Sequence, residues 1–198
     1  MKIYKDIIQR SDEWFEVKQG KMSASHSTAI GSGGAGLTTY IYEVVAGMYS
    51  SGSDENYISA DMQRGIDLEP EARVLYSLET GEGVDEVGFI EYNEYVGCSP
   101  DGLVRKTGGI EIKCPNDTKF FKLLVNGEKE IDTSYIWQIQ MSLLITGRTW
   151  WDFVAYNQNF ENNLVIIRIF PDEEKFEKLK AGFVKGEQMI KDLIIKLK

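Results

Sequence analysis

Two cysteines, one histidine and four prolines leave this 198-residue chain short of the groups that build many common sites. Cys98, Cys114 and His26 cannot by themselves supply a four-ligand zinc centre or an iron–sulfur cluster. Two isolated thiols read as reduced core residues of a cytoplasmic protein, with a disulfide open only if their strands are neighbours. The start, Met1-Lys2-Ile3-Tyr4-Lys5-Asp6, has no apolar leader. No apolar run approaches the ~18 residues of a membrane span, and even the stretch 135–146 is interrupted by Gln138 and Gln140. Basic charge is scarce as well, with 22 Lys and Arg against 31 Asp and Glu and a net charge of -9. That balance argues against a protein that coats nucleic acid. It is compatible with an enzyme that grips a few phosphates through a local basic strip.

What is present is ordinary globular composition, 42% hydrophobic and 27% charged, without repeats or linkers. A single α/β domain over residues 1–198 is expected. Residues 12–18 read as a short helix ended near Gly20, and Ser23 to Ser27 offer caps for a second that runs into the glycine-rich connector 31–36. Residues 38–49 carry an apolar stripe of Ile41, Val44, Val45 and Met48, and 59–80 a longer one through Leu68, Ala72, Leu75 and Tyr76. The polar stretch 50–56 between them reads as a mobile loop. The period then shortens to two, which predicts strands at 84–92, 95–104 and 109–114. Helices are predicted at 118–125 and 133–146 and strands at 150–156 and 164–170. A last helix opens with Pro171 at its first position and buries Phe176, Leu179, Phe183, Ile190, Leu193 and Leu197.

The chemistry concentrates in Ser99-Pro100-Asp101-Gly102-Leu103, followed by Gly109-Ile110-Glu111-Ile112-Lys113-Cys114-Pro115. Alternation along a strand puts Glu111 and Lys113 on one face and Ile110, Ile112 and Cys114 on the other. An Asp at a turn, a Glu on the next strand and an ammonium beside them suit metal-assisted hydrolysis of a phosphodiester. Three further strings accompany this core: Trp14-Phe15-x2-Lys18-x-Gly20-x2-Ser23-Ala24-Ser25, then Arg64-Gly65-x3-Glu69-Pro70-Glu71-Ala72-Arg73, and Tyr135-Ile136-Trp137-Gln138-Ile139-Gln140.

In this order and spacing the chain resembles the phage lambda exonuclease and YqaJ-type viral recombinase family of PD-(D/E)XK nucleases, from about Asp12 to the C-terminus. The resemblance implies an α/β restriction-endonuclease-like core, a central mixed sheet flanked by helices. It implies a Mg²⁺-dependent 5′→3′ exonuclease that degrades one strand of linear duplex DNA and leaves 3′ overhangs for single-strand-annealing recombination. One or two Mg²⁺ ions, replaceable by Mn²⁺, would sit on Asp101, Glu111, the carbonyl of Ile112 and Glu69, the last serving a second ion. Lys113 would orient or deprotonate the nucleophilic water, its own pKa pushed down by the metal charge, and Gln138 would donate to a phosphate oxygen or to that water.

Lys18, Ser25, Ser99 and Gln138 fall where the family binds a 5′-terminal phosphate. Lys18 departs from the Arg of the lambda enzyme and loses the bidentate fork. Met62 falls at the family's base-pair wedge. A homotrimeric ring, with Lys119, Lys122 and Arg148 as channel residues, and a phage annealing protein as partner are also implied. So is a phage or prophage origin in the cytoplasm of a bacterial host.

Other readings stay open. An endonuclease of the same core and a non-catalytic binder of DNA ends fit the same residues. Ser25 could cap a helix, Gln138 could make a structural hydrogen bond, Met62 could be core, and Trp137, Trp150 and Trp151 could stack on bases or pack inside. His26 reads as a polar loop residue near the phosphate pocket.

Overall fold

Two local breaks, at Gly88 and at Ser99-Pro100, divide the β-rich middle of the chain between two sheets. Residues 84–92 form β3 (Val84–Asp85) and β4 (Phe89–Asn93), and residues 95–104 form β5 (Val96–Cys98) and β6 (Gly102–Val104), so each predicted strand is two. Gly88 lies so close to the carbonyl of Ile7 that a Cβ would collide with it, and Pro100 has no N–H to give to a ladder. The computed structural model describes residues 1–50 and 59–197. Apart from Ser50, the predicted loop 50–56 lies outside them.

The smaller sheet has the order β1-β4-β5-β2, with β1 (Lys2–Tyr4) and β2 (Met22–Ser23) at its edges. The larger has the order β3-β6-β7-β8-β9, adding β7 (Gly108–Lys113), β8 (Trp150–Tyr156) and β9 (Leu164–Ile169). β7 pairs antiparallel with β6 and parallel with β8, so this sheet is mixed. The parallel step is bridged by α5 (Asp117–Asn126), a 3-10 turn (Gly127–Glu130) and α6 (Thr133–Thr146). β7 is buried on both faces, Ile110 and Ile112 on one and Glu111 on the other, as expected of a strand inside a covered sheet.

Helices supply the covers. α1 (Asp12–Lys18) is capped by the Ser11 hydroxyl, which accepts from the Trp14 N–H. α4 (Ala60–Thr80) is capped by Ser59 and closed by Gly81 at φ 70°. Pro70 sits inside α4 and, lacking an N–H, leaves the carbonyl of Ile66 without its usual helical partner. α2 (Ser27–Ser32) and α3 (Ala35–Tyr49) replace the predicted connector 31–36: Gly33, at φ 61°, caps α2, while Gly31 lies inside it. Gly31 is there because Trp137 packs against it with no room for a Cβ. On α3 the buried stripe is Leu37, Tyr40, Ile41 and Val45, and Met48 is exposed.

The last helix, α7 (Glu173–Lys196), is capped by Asp172, so Pro171 precedes the cap instead of opening the helix. Leu179, Phe183 and Ile190 are buried as the period requires, whereas Leu197 in the final turn is exposed. Gly182 and Gly186 let α7 approach closely: a Cβ on Gly182 would strike the Ile30 carbonyl, and one on Gly186 the sulfur of Met22. The main core lies between α2, α3, α6 and α7 and the sheets, and a second cluster sits beneath α4 around Tyr76, Ile110, Ile112 and Val154. Among the described residues no helix is long and apolar enough to cross a membrane.

Alanine raises helix stability over glycine by about 1 kcal/mol at an open site. Gly47 on α3 is open, with nothing near a built Cβ, and Gly47→Ala should gain about that amount in urea unfolding. Gly182→Ala should instead lose about 1–3 kcal/mol through overpacking.

Candidate active site

β6 stops before β7 does: their last register pair is Gly102 with Ile110. Beyond it, the N–H of Ile112 has no strand to meet. The carboxylate of Asp101, on the turn that feeds β6, takes its place, with Oδ2 2.6 Å from the Ile112 nitrogen. N–H and C=O of one strand residue point to the same side. The Ile112 carbonyl therefore faces the same vacated edge as Asp101.

Glu111, 1% exposed, receives the Lys113 ammonium on Oε1 at 2.6 Å, while its buried Oε2 has no hydrogen-bond partner among the described residues. The ammonium also lies 4.8 Å over the ring of Tyr135, which in turn stacks on Phe153. Glu69 reaches the site from α4. Its Oε1 accepts from Arg73 at 2.6 Å and its Oε2 lies 3.5 Å from Arg10. Arg73 also donates to the backbone carbonyl of Asp101 (3.2 Å) and pairs with Glu86 (3.0 Å), tying α4 to the acid-bearing turn.

Glu69, Asp101, Ile112, Lys113 and Tyr135 line one cavity of about 600 Å³, with Arg10, Met62, Lys119 and Lys122, and the buried Glu111 is not among its walls. The electrostatics are tense. Burial and the neighbouring Glu111 push Asp101 up to about 7, while the Lys113 charge and the Ile112 N–H pull it back. Burial also raises Glu111 and Glu69 above the ordinary carboxylate range, Asp101 adding to the rise at Glu69. For Lys113 burial acts downward, but Glu111 and Asp101 outweigh it and hold the ammonium above its usual range. Here the carboxylates set the local field. Among the described residues no three His, Cys, Asp or Glu side chains stand as a ready-made metal cage. Asp101 feels the charge of Glu111, and Glu69 is held by Arg73, with Arg10 farther off.

A hard divalent cation fits this donor set. The orphaned, buried Oε2 of Glu111 needs a positive partner, and the remaining donors on offer are a carboxylate and a carbonyl oxygen.

A second group of side chains gathers around Trp14. Its indole N–H donates to the hydroxyl of Ser99 (2.9 Å) and to the Gly88 carbonyl, and the Lys18 ammonium lies 4.3 Å over its ring. Burial lowers the pKa of Lys18, and among the described residues no carboxylate pairs with it. Ser25 makes no helix cap; its hydroxyl meets that of Ser23 (3.0 Å) and Nδ1 of His26 (3.1 Å). His26, in the 3-10 turn Ala24–His26, stacks on Tyr40, and its pKa is lowered by burial and by the Lys18 charge, against Glu43.

The sequence matches the YqaJ-like viral recombinase domain over residues 13–149. The chain belongs to that family. Among solved structures it is similar to the alkaline exonuclease LHK-Exo of Laribacter hongkongensis, with 35% identity, 94% of this chain and 98% of that chain covered, and a TM-score of 0.81. A structure of LHK-Exo in complex with dAMP matches equally well. A phage-related exonuclease from Haemophilus somnus 129PT shares the fold, at 17% identity, 93% and 99% coverage and a TM-score of 0.69. No curated protein sequence matches the chain. The two mixed sheets with flanking helices are thus the PD-(D/E)XK-like fold of these neighbours.

Within this YqaJ-like frame several expected roles change hands. The guanidinium of Arg148 donates to the carbonyls of Val104, Arg105 and Gly108, closing the β6–β7 turn. Gln140, not Gln138, makes the structural amide bonds of α6, to the Phe170 carbonyl and from the Asp172 N–H. Gln138 is half-buried one turn from Tyr135 and is not among the cavity walls. Met62 is exposed on the cavity wall and not core. Trp151 is fully buried, Trp137 packs on Gly31, and Trp150 is covered by the guanidinium of Arg168 at 3.8 Å. Both thiols are free. Arg10 and Arg73 were missed as site residues: Arg73 sits at i+4 from Glu69, a helical pairing visible in the sequence, whereas nothing marks Arg10.

α4 is pinned to the larger sheet by the Tyr76 hydroxyl, which donates to the buried Asp152 at 2.8 Å, while Arg168 grips both carboxylate oxygens. Tyr76→Phe should cost about 1–3 kcal/mol in urea unfolding, since it removes a hydrogen bond to a buried charge.

Proposed function

We propose that this chain is a Mg²⁺-dependent exonuclease that hydrolyses one strand of linear double-stranded DNA from its 5′ end. The 3′ overhang left behind would feed single-strand-annealing recombination. The observation that carries this is that Asp101 bonds the Ile112 N–H at the open edge of β7, next to the Glu111–Lys113 ion pair, and that Asp101, Ile112, Lys113 and Glu69 line one cavity.

Asp101, Glu111 and the Ile112 carbonyl would hold one Mg²⁺, and Glu69, once free of Arg10 and Arg73, would serve a second. When bound, such ions polarise the scissile phosphate and lower the pKa of a coordinated water. The residues do the rest. Lys113, anchored between Glu111 and the Tyr135 ring, directs its ammonium at the reacting phosphate and stabilises the negative charge that develops there. With its ammonium held above the usual range, Lys113 acts first as an electrostatic stabiliser and donor to the water, and as a base only where metal charge offsets its carboxylate neighbours. Lys119 and Lys122 on the cavity wall supply the local basic strip that the overall charge lacks.

Lys18, Ser25 and Ser99 would receive the 5′-terminal phosphate, with Gln138 as a further donor. The Lys18 ammonium over the Trp14 ring, the Ser99 hydroxyl on its indole N–H and the Ser25 hydroxyl beside Ser23 and His26 support that use, and the point charge of Lys18 in place of an arginine fork makes the grip looser. The dAMP complex belongs to LHK-Exo and is consistent with a nucleotide-sized site in this fold. A homotrimeric ring around DNA, a phage annealing protein as partner, Mn²⁺ as a substitute ion, and a phage or prophage origin in a bacterial cytoplasm complete the proposal.

End-labelled linear duplex incubated with Mg²⁺ should be digested, and EDTA should stop it. Lys113→Ala should lower the rate by about 10²–10⁴-fold. Cutting of covalently closed circles would make the chain an endonuclease, and duplex binding without turnover in Mg²⁺ would make it an end-binding protein. A duplex with a 5′-phosphate should be digested faster than one with a 5′-hydroxyl, and Lys18→Ala should erase the difference. Equal wild-type rates on the two ends would remove the terminal-phosphate assignment.

A further inference from the structure

Arg10 stands where a glycine would be at ease. The Ser11 N–H donates to the carbonyl of Ile8 at 3.1 Å, closing a turn whose third residue, Arg10, has φ 72°. Glycine fills that turn position freely, whereas any side chain there crowds the backbone. Arg105 is the other described non-glycine residue with positive φ, and its side chain makes a 2.5 Å ion pair with Glu82. Among the described residues Arg10 has no comparable contact. Its ion pair with Glu69 is 3.5 Å long and its side chain is 46% exposed, a combination that contributes little. Glu69 in any case already takes a 2.6 Å bond from Arg73.

Nor does the turn need the guanidinium. Gln9 straps it down by donating to the carbonyls of Val87 (3.0 Å) and Pro100 (2.9 Å), and the Ser11 hydroxyl begins α1. Arg10 nevertheless reaches the wall of the cavity that holds Glu69, Asp101 and Lys113. A polyanion entering that cavity meets clustered carboxylates. A half-exposed guanidinium at its edge offers planar N–H donors that suit a phosphate oxygen.

We propose that Arg10 is a substrate-binding residue whose guanidinium donates to a backbone phosphate of the DNA strand lying in the cavity. The strained backbone is kept for that contact, not for the fold and not for Glu69. This assignment rests on the nuclease reading above.

The test compares wild type, Arg10→Gly and Arg10→Lys on a 5′-phosphorylated linear duplex in Mg²⁺, with thermal unfolding alongside. Arg10→Gly should melt at or above the wild-type temperature, because glycine relaxes the turn. Its KM should rise about tenfold with kcat little changed, the loss expected for one charge-assisted hydrogen bond. The log–log salt slope of duplex binding should fall by about one. Arg10→Lys should recover the slope while keeping part of the KM defect. A lower melting temperature in Arg10→Gly would assign the side chain to the fold. A loss of kcat or of Mg²⁺ affinity at unchanged KM would make it a positioning residue for Glu69. Unchanged KM and salt slope would leave it no part in substrate binding. Each of these three results overturns the proposal. A wild-type protein that leaves the duplex intact would overturn the nuclease reading itself, and this is scored before any variant is compared.

Discussion

One hydrogen bond organises this molecule: the carboxylate of Asp101 accepting from the backbone N–H of Ile112. Because β6 ends early, β7 would otherwise carry an orphan donor at its edge, and buried orphans are costly. A side chain stands in for the missing strand. The substitution fixes the acid relative to β7, leaves the Ile112 carbonyl facing outward, and sets the buried Glu111 immediately beside both. It also buries carboxylates near one another, and burial first, then neighbouring negative charge, raises Asp101 and Glu111 while Lys113 pulls both back. Such a cluster weakens the fold locally and persists only because the surrounding core over-determines it.

The rest of the architecture serves that edge. The larger sheet gives β7 two neighbours and a cover on each face. α4 is bolted down twice: Tyr76 reaches Asp152 on β8, and Arg73 grips Glu69 and the Asp101 carbonyl. The smaller sheet carries Ser99 at the end of β5 and leans its Trp14 contact on it. α7 presses close to α2 and β2 through Gly182 and Gly186, so the strand bearing Ser23 is backed by a helix.

Much of this could be read from the residues, and the failures have physical reasons. Asp101 with Glu111-x-Lys113 announced itself, since alternation in a strand fixes which side chains share a face. Helix boundaries followed caps such as Ser11, Ser59 and Gly147. The split of residues 84–104 into four strands did not show, because Gly88 is dictated by the carbonyl of Ile7, a contact across the fold. Arg148 looked like a free cation near the motifs; only the β6–β7 turn, with its three converging carbonyls, explains where it goes. The structural role of Gln140 did not show, because periodicity alone does not say which amide of α6 meets Phe170 and Asp172. Arg10 was invisible, since a positive φ at an arginine leaves no mark on composition or spacing.

The peptide joining Ser99 to Asp101 acts as a ruler. Two residue steps of extended chain span at most about 7 Å, and one nucleotide of a DNA strand advances about 3.4 Å along the helix axis. Under the proposed reading, with an end phosphate at Ser99 and the broken bond beside Asp101, covalent geometry would set the stride at about one or two nucleotides. A stiff Pro100 in the middle keeps that measure from stretching.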